Sequence, residues 1–355
     1  MDPIRPGGPG ELGAPEDHPV TAPGCADCVG SARAGHRFCE GCGRELGVRK
    51  VALPVHDPVE VPQCSTCGER RYEGGYCVKC GSPKPMPDRF EEDLGAVYVL
   101  TDRGISHSRN EDAVAAAVRE GDGIRVIVVS DGVSTSQDPQ AASGNAARTG
   151  VDAALAALAE GRPDSDAAMA GLAAATAAVR GMSRTPEYAP SCTYVSAIVR
   201  ETNLGTDITV ANVGDSRAFW LAAGDPTASR RLSIDDSWAQ ALVDAGALDE
   251  TAAMNDPRAH TLLRWLGADG GEAPWSANCL QRMLATEPGT LLLCSDGLWN
   301  YLPEAVALAG FTVETSPQAA ARALADFALN SGGSDNITVA LAPVPVALSH
   351  QPGVS

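Results

Sequence analysis

Residues 126–132 read Val-Ile-Val-Val-Ser-Asp-Gly, and residues 291–297 read Leu-Leu-Leu-Cys-Ser-Asp-Gly. Each is an apolar run that ends in Ser-Asp-Gly. Runs of this length and composition predict strands buried on both faces, with Asp131 and Asp296 at their ends. A single Asp-Gly pair is by itself a common hairpin turn. Here no matching strand follows either pair at hairpin distance, and further carboxylates occupy similar positions: Glu111 and Asp112 in SRNEDA (108–113), Asp215 in GDS (214–216), and Asp335 just ahead of Ile337.

Outward from these two runs, strand-like composition recurs at 96–101, 193–200, 208–213, 218–222 and 337–342. Ala-rich helical stretches occupy 140–159 and 166–182, and a third helix is expected at 317–329. Residues 208–221 read as a hairpin closed at Gly214, Asp215 and Ser216. Meandering strands interrupted by paired helices predict an α+β sandwich rather than a doubly wound parallel sheet.

The chain has 355 residues, with 27 Lys and Arg against 45 Asp and Glu and a net charge of −18. Before Phe90 the balance is 11 basic to 12 acidic; from there on it is 16 to 33. The last lysine is Lys84, which excludes from the body the kinases and loop-type nucleotide hydrolases that need a lysine on the phosphates. An acidic body also argues against nucleic acid and anionic membranes as partners. Carboxylates gathered at one end of a sandwich repel, and divalent cations are their natural counter-charge. Oxygen-only ligation selects Mg2+ or Mn2+ over zinc, and the body offers only His107 and His260.

Eight of the 11 cysteines lie between Cys25 and Cys80. Cys25, Cys28, Cys39 and Cys42 form two C-x2-C pairs, and Cys64, Cys67, Cys77 and Cys80 repeat the pattern. Two facing pairs complete the tetrahedral thiolate cage that zinc prefers; redox dithiols and disulfides are the weaker alternatives. Gly43, Gly68 and Gly81 each follow a second cysteine, where a tight knuckle needs backbone freedom. The organisation expected is a disordered tail at 1–24, paired zinc units at 25–80, a Pro-rich linker at 81–92, a body at 93–345 and a loose tail at 346–355. Nothing reads as a leader or anchor, since the longest uncharged stretch of the Ala-rich middle, 167–179, is shorter than the ~18 residues of a membrane span. A cytoplasmic location, where thiols stay reduced, is expected.

The ordered set TDRGISHSRNEDA (101–113), VIVVSDG (126–132), SCTYVSAIV (191–199), NVGDSRAFWL (212–221), PGTLLLCSDGLW (288–299) and SDNITVAL (334–341) resembles the metal-dependent protein serine/threonine phosphatases of the type 2C class, over Leu94 to Pro343. The cysteine segment is similar to bacterial double zinc ribbons. The resemblance implies a four-layer α-β-β-α sandwich of two antiparallel sheets flanked by helices, preceded by two small zinc ribbons. It implies hydrolysis of phosphoserine and phosphothreonine in proteins phosphorylated by serine/threonine kinases, by a monomer with two, or three, Mn2+ or Mg2+ ions and two structural Zn2+ ions. Asp131 would bridge two metals, Asp296 and Asp335 would complete the first, and Glu111 with the Gly132 carbonyl would serve the second. Asp112 would hold metal-bound water, and Asp215 with Asp296 would make a weaker third site. Asn336 and Ser216 would position loops.

Three departures from the family pattern stand out. The usual phosphate-holding Arg is replaced by His107, with Arg109 two residues later; a Gly-rich continuation is replaced by Val133-Ser-Thr-Ser136; and the usual Asp-His-Ser ahead of the family's flap, here roughly 233–283, reads Asp235-Asp236-Ser237. Phosphate binding would then fall to Arg109 or to protonated His107. The rival reading from the same residues is a pseudophosphatase that recruits partners through its ribbons.

Overall fold

The computed structural model describes residues 27, 30–31, 36, 39–41, 47–54, 63–64, 66–73, 76–82, 88–183, 189–271 and 273–345. The strands in chain order are β1 (Val48–Leu53), β2 (Tyr72–Glu73), β3 (Tyr76–Cys77), β4 (Arg89–Asp93), β5 (Tyr98–Asp102), β6 (Asp112–Arg119), β7 (Ile124–Asp131), β8 (Ser191–Cys192), β9 (Tyr194–Thr202), β10 (Gly205–Val213), β11 (Arg217–Ala222), β12 (Arg230–Arg231), β13 (Leu266–Gly267), β14 (Leu280–Ala285), β15 (Gly289–Cys294) and β16 (Ile337–Val344). The helices are α1 (Pro139–Ala159), α2 (Asp164–Gly181), α3 (Trp238–Asp244), α4 (Glu250–Met254), α5 (Asp296–Trp299), α6 (Ala305–Ala309) and α7 (Pro317–Asn330).

Two six-stranded sheets carry the body. The first has the order β1-β6-β7-β9-β10-β14 and the second β12-β11-β15-β16-β5-β4, and the pairings are antiparallel. The period-2 alternation of a strand assigns each side chain to one of three apolar layers. On β7, Ile124, Val126 and Val128 face helices α1 and α2, whereas Ile127 and Val129 face the second sheet. On β16, Ala340, Ala342 and Val344 join that inter-sheet core while Ile337, Val339 and Leu341 face α6 and α7. Burial on both faces explains why these strands are continuous apolar runs. The result is the expected α-β-β-α sandwich.

Small residues let the helices sit close. A Cβ on Gly171 of α2 would lie 2.8 Å from the Gly150 carbonyl oxygen of α1, and one on Gly150 would lie 2.6 Å from the Tyr194 hydroxyl. On α7 the buried residues Ala320, Ala321, Leu324, Ala325 and Ala328 form one helical stripe, and Ser316 caps the start by accepting from the Ala319 N–H. No helix among the described residues is long and apolar enough to cross a membrane.

The structure departs from the sequence reading at five places. The expected linker 81–92 ends in strand β4, which pairs with β5 from Arg89↔Asp102 to Asp93↔Tyr98. β6, Asp-Ala-Val-Ala-Ala-Ala-Val-Arg, carries no strong strand signal because alanine favours helix; its pairing with β7 overrides that preference. Residues 208–221 are not a hairpin: β10 belongs to the first sheet and β11 to the second, so Gly214, Asp215 and Ser216 cross between sheets. The range 233–283 ends early, because Leu280 onward forms the edge strand β14. Finally, β1 lies between the two cysteine sets and pairs with β6 from Val48↔Arg119 to Leu53↔Val114, so the expected ribbon segment 25–80 lends a strand to the body, which does not begin at residue 93. Leu53 is buried in the inter-sheet core beside Leu94. Cys25, Cys28 and Cys42 lie outside the described residues, as do both tails; Cys39 is buried.

Candidate active site and cysteine cluster

Antiparallel neighbours bring the C-terminal ends of β7, β10 and β15 and the N-terminal ends of β6, β11 and β16 to one end of the sandwich. Each carries an acidic residue there. Asp131 ends β7, Asp112 begins β6 directly opposite it, and Glu111 precedes Asp112. Asp215 lies in the crossover from β10 to β11, Asp296 opens α5 after β15, and Asp335 precedes β16.

These carboxylates act on one another. Burial first, then the charges of Asp112, Asp296, Asp335 and Asp215, push Asp131 well above the usual carboxylate range. Burial followed by the charge of Asp335 raises Asp296 to about 6, and burial with the nearby Asp335 and Asp296 raises Asp112 to about 7. Asp215 is also raised, by burial and then by Asp296. Two buried oxygens, Asp112 Oδ1 and Asp296 Oδ1, have no hydrogen-bond partner among the described residues. Mutually repelling buried carboxylates with unpartnered oxygens have the donor chemistry that hard divalent cations take. The group of ligand atoms drawn to within 4.8 Å of one another among the described residues is instead the sulfurs of Cys64, Cys67, Cys77 and Cys80.

Neighbouring hydroxyls and amides hold each acid in place. Ser295 Oγ and Thr338 Oγ1 each donate to Asp112 Oδ2 at 2.7 Å. The Asp131 N–H donates to Thr193 Oγ1 at 2.9 Å, and Asn300 Nδ2 donates to Asp296 Oδ2 at 3.1 Å. Asn336 clamps the 103–111 loop: its Oδ1 accepts the Glu111 N–H at 2.6 Å while its Nδ2 donates to the carbonyls of Arg103 and Arg109 at 2.6 and 3.1 Å. Gly132 is required sterically, since a Cβ there would lie 2.5 Å from the Pro139 oxygen and 2.7 Å from the Glu111 oxygen.

Both phosphate-holding candidates touch metal-ligand candidates. His107 Nε2 lies 3.1 Å from Asp335 Oδ1, and Arg109 Nε donates to Glu111 Oε1 at 2.8 Å. Ser134, in the stretch that replaces the family's glycines, donates to Glu111 Oε2 at 2.6 Å. The sequence reading marks Ser134 only as part of the stretch that replaces the family's glycines, and it omits Thr193, Ser295 and Thr338 as site residues. The signal of these three is a hydroxyl inside or next to an otherwise apolar strand.

The segment leaving β12 is rooted on the Asp215 crossover. Asp235 and Arg217 form a fully buried ion pair at 2.7 Å, and the Arg217 guanidinium lies 3.5 Å over the Trp299 ring. Trp299 Nε1 donates to the Asp215 carbonyl at 2.9 Å, and His260 stacks on the same indole. Cys192, Cys279 and Cys294 are buried small hydrophobes; burial raises the thiols of Cys192 to about 12 and of Cys294 further.

Apart from this site, the sulfurs of Cys64, Cys67, Cys77 and Cys80 all lie within 4.8 Å of one another, close to the ~3.8 Å edge of a tetrahedral zinc-thiolate cage. The two halves match. The Gly68 and Gly81 N–H groups turn back to the Cys64 and Cys77 carbonyls at 2.8 and 2.9 Å, and both glycines have φ of +73°, as their place after a second cysteine predicts. Hydrogen bonding with Ser82 lowers Cys80 to about 6, whereas Cys67, against the pull of the Glu69 backbone, is raised to about 12 by burial and the neighbouring sulfurs.

Comparison with known proteins agrees with this geometry. The Protein phosphatase 2C family model matches residues 103–330. The chain is 30% identical over 252 residues to the serine/threonine protein phosphatase PstP of Mycobacterium tuberculosis, a match covering 69% of this chain and 44% of that protein. It is 36% identical over 149 residues to the serine/threonine phosphatase stp of Listeria innocua, covering 42% of this chain and 55% of the relative. The chain thus spans about half the length of the curated relatives it matches. Among solved structures, the PPM Ser-Thr phosphatase MsPP from Mycobacterium smegmatis is similar with a TM-score of 0.57 at 25% identity, covering 72% of this chain and 100% of that one. The S. agalactiae serine/threonine phosphatase is similar with a TM-score of 0.55 at 26% identity, covering 72% and 100%. The chain belongs to the protein phosphatase 2C family.

Proposed function

We propose that this chain hydrolyses phosphoserine and phosphothreonine monoesters in proteins, using two Mn2+ or Mg2+ ions held by the strand-end carboxylates. The observation that carries the reading is the meeting of Asp112, Asp131, Asp215, Asp296 and Asp335 at one end of the sandwich, with the buried oxygens of Asp112 and Asp296 unpartnered among the described residues. A structure neighbour, the catalytic domain of PstP, is described as a complex with two manganese ions, which supports the choice of metal.

Asp131 would be shared by both ions, Asp296 and Asp335 would complete one set, and Glu111 with the Gly132 carbonyl would complete the other; Asp215 with Asp296 would hold a weaker third. Such ions, when bound, lower the pKa of water and offset phosphoryl charge. The protein's own part is to fix donors. Ser295 and Thr338 occupy one oxygen of Asp112 and leave the other to orient a water proton. Arg109, half-exposed and anchored through Nε, is the candidate for holding substrate phosphate, with His107 beside Asp335 as the alternative. In the amino-terminal segment, Cys64, Cys67, Cys77 and Cys80 would hold one structural zinc, and Cys25, Cys28, Cys39 and Cys42 a second. Reduced thiolates in such units fit a cytoplasmic setting.

Phosphate release from a phosphothreonine peptide tests the activity. Release that requires Mn2+ and stops with EDTA is expected; no release at any Mn2+ concentration would contradict it. Zinc content is a separate readout, expected at two per chain.

A further inference from the structure

Asp236 stands where three segments meet. Its N–H donates to the Gly214 carbonyl at 2.8 Å, its Oδ2 accepts the Gly214 N–H at 3.3 Å, and its carbonyl accepts the Leu263 N–H at 2.8 Å. Its Oδ1 meets Arg264 Nη1 at 2.9 Å. The Asp236 side chain is 5% exposed, whereas that of Arg264 is 45% exposed and reaches in from the outgoing arm of the 237–263 segment. The two arms are zipped beyond this point, because Ser237 bridges Leu262 and the Trp238 N–H donates to the Thr261 carbonyl.

The partner of Asp236 is the crossover that carries Asp215. Gly214 sits at φ +94°, and a Cβ there would lie 2.8 Å from Thr193 Cγ2. On its far side the crossover is tied to Thr193 through Ser216 Oγ at 2.7 Å, and Thr193 in turn accepts the Asp131 N–H. A contiguous chain therefore runs from Arg264 through Asp236 and Gly214 to Thr193 and Asp131. Asp235, the preceding residue, is already committed to Arg217. Without Arg264, Asp236 would be a buried carboxylate facing backbone groups alone, a costly arrangement that it would escape by turning toward water and releasing Gly214.

We propose that the Asp236–Arg264 ion pair is a positioning latch: it closes the 237–263 segment on the β10–β11 crossover and thereby sets Asp215 in the cleft. Asp236 stands where the family pattern has histidine. The latch's catalytic consequence rests on the proposed phosphatase activity, but its structural consequence does not.

Hydrogen–deuterium exchange on the full chain separates the two. Arg264→Ala should lose at least tenfold protection in peptides covering 212–216 and 259–264, while peptides within β7 stay as in the parent. Manganese titration of the same variant by calorimetry should show at least fivefold weaker binding in its weaker phase, and Arg264→Lys should restore most of both effects. Exchange and manganese binding within twofold of the parent in Arg264→Ala would overturn the latch, as would a failure of Lys to rescue. If exchange changes as expected but the parent shows no phosphatase activity, the latch stands and the activity assignment falls.

Discussion

Asp112 and Asp131 occupy directly opposite positions in the β6–β7 ladder, so two carboxylates face each other at adjacent strand ends in a chain whose last lysine is Lys84. Both are raised above the usual carboxylate range, Asp112 to about 7, with burial as the first cause. An acid raised in the folded state ionises first in the unfolded chain. Its cost is therefore absent below the unfolded value of about 4 and grows as pH rises toward the folded value. In metal-free protein, Asp112→Asn should melt progressively higher than the parent as pH goes from about 4 to about 7, the folded value of Asp112. Mn2+ should stabilise the parent more than the variant. A melting difference that does not change with pH would contradict this.

Arg109 and His107 can be told apart by kinetics. If Arg109 holds substrate phosphate, Arg109→Ala should raise KM for a phosphopeptide more than it lowers kcat, with His107→Ala close to the parent. A dominant effect of His107→Ala would transfer the role to the residue beside Asp335. Unchanged kinetics in both variants would remove the idea altogether.

Gly132 has no room for a methyl group between the Pro139 and Glu111 oxygens. Gly132→Ala should destabilise the fold by ~1–3 kcal/mol and move the Glu111 backbone, weakening manganese binding by more than its stability cost alone implies. Denaturant unfolding alongside calorimetry reads both. Parent-like stability would show that the loop has slack the packing does not suggest.

The place of β1 makes truncation informative. A chain starting near Met86 lacks the edge strand beside β6 and the buried Leu53 side chain. It should melt lower than the full chain and be prone to association through the exposed edge of β6. A chain starting just before Val48 should be free of both defects. Equal melting of the two would place β1 outside the cooperative unit.

Much of this architecture was legible in the sequence. Continuous β-branched and aliphatic runs such as 126–130 and 291–294 read as strands covered on both faces, and the strand-end acids follow from them. What failed has physical reasons. β6 is built of alanines, whose helix preference hides a strand specified by its partner. The Gly214–Ser216 turn has hairpin residues but crosses between sheets, a tertiary choice that local turn chemistry cannot encode. β1 was hidden because the cysteines around it suggested one small metal domain, although Val51, Ala52 and Leu53 belong to the body's cores. The site acids were readable one by one; the hydroxyls that orient them lie far from them in sequence, as Ser295 and Thr338 do from Asp112.

The central claim is that the strand-end carboxylates form one dinuclear cation site that hydrolyses phosphoprotein esters. Asp131→Ala in the full chain tests it most directly, with manganese binding by calorimetry and phosphate release from a phosphothreonine peptide measured on the same sample. Loss of both together, in a variant that still melts cooperatively, is predicted. Phosphate release that survives while manganese binding is lost would contradict the account.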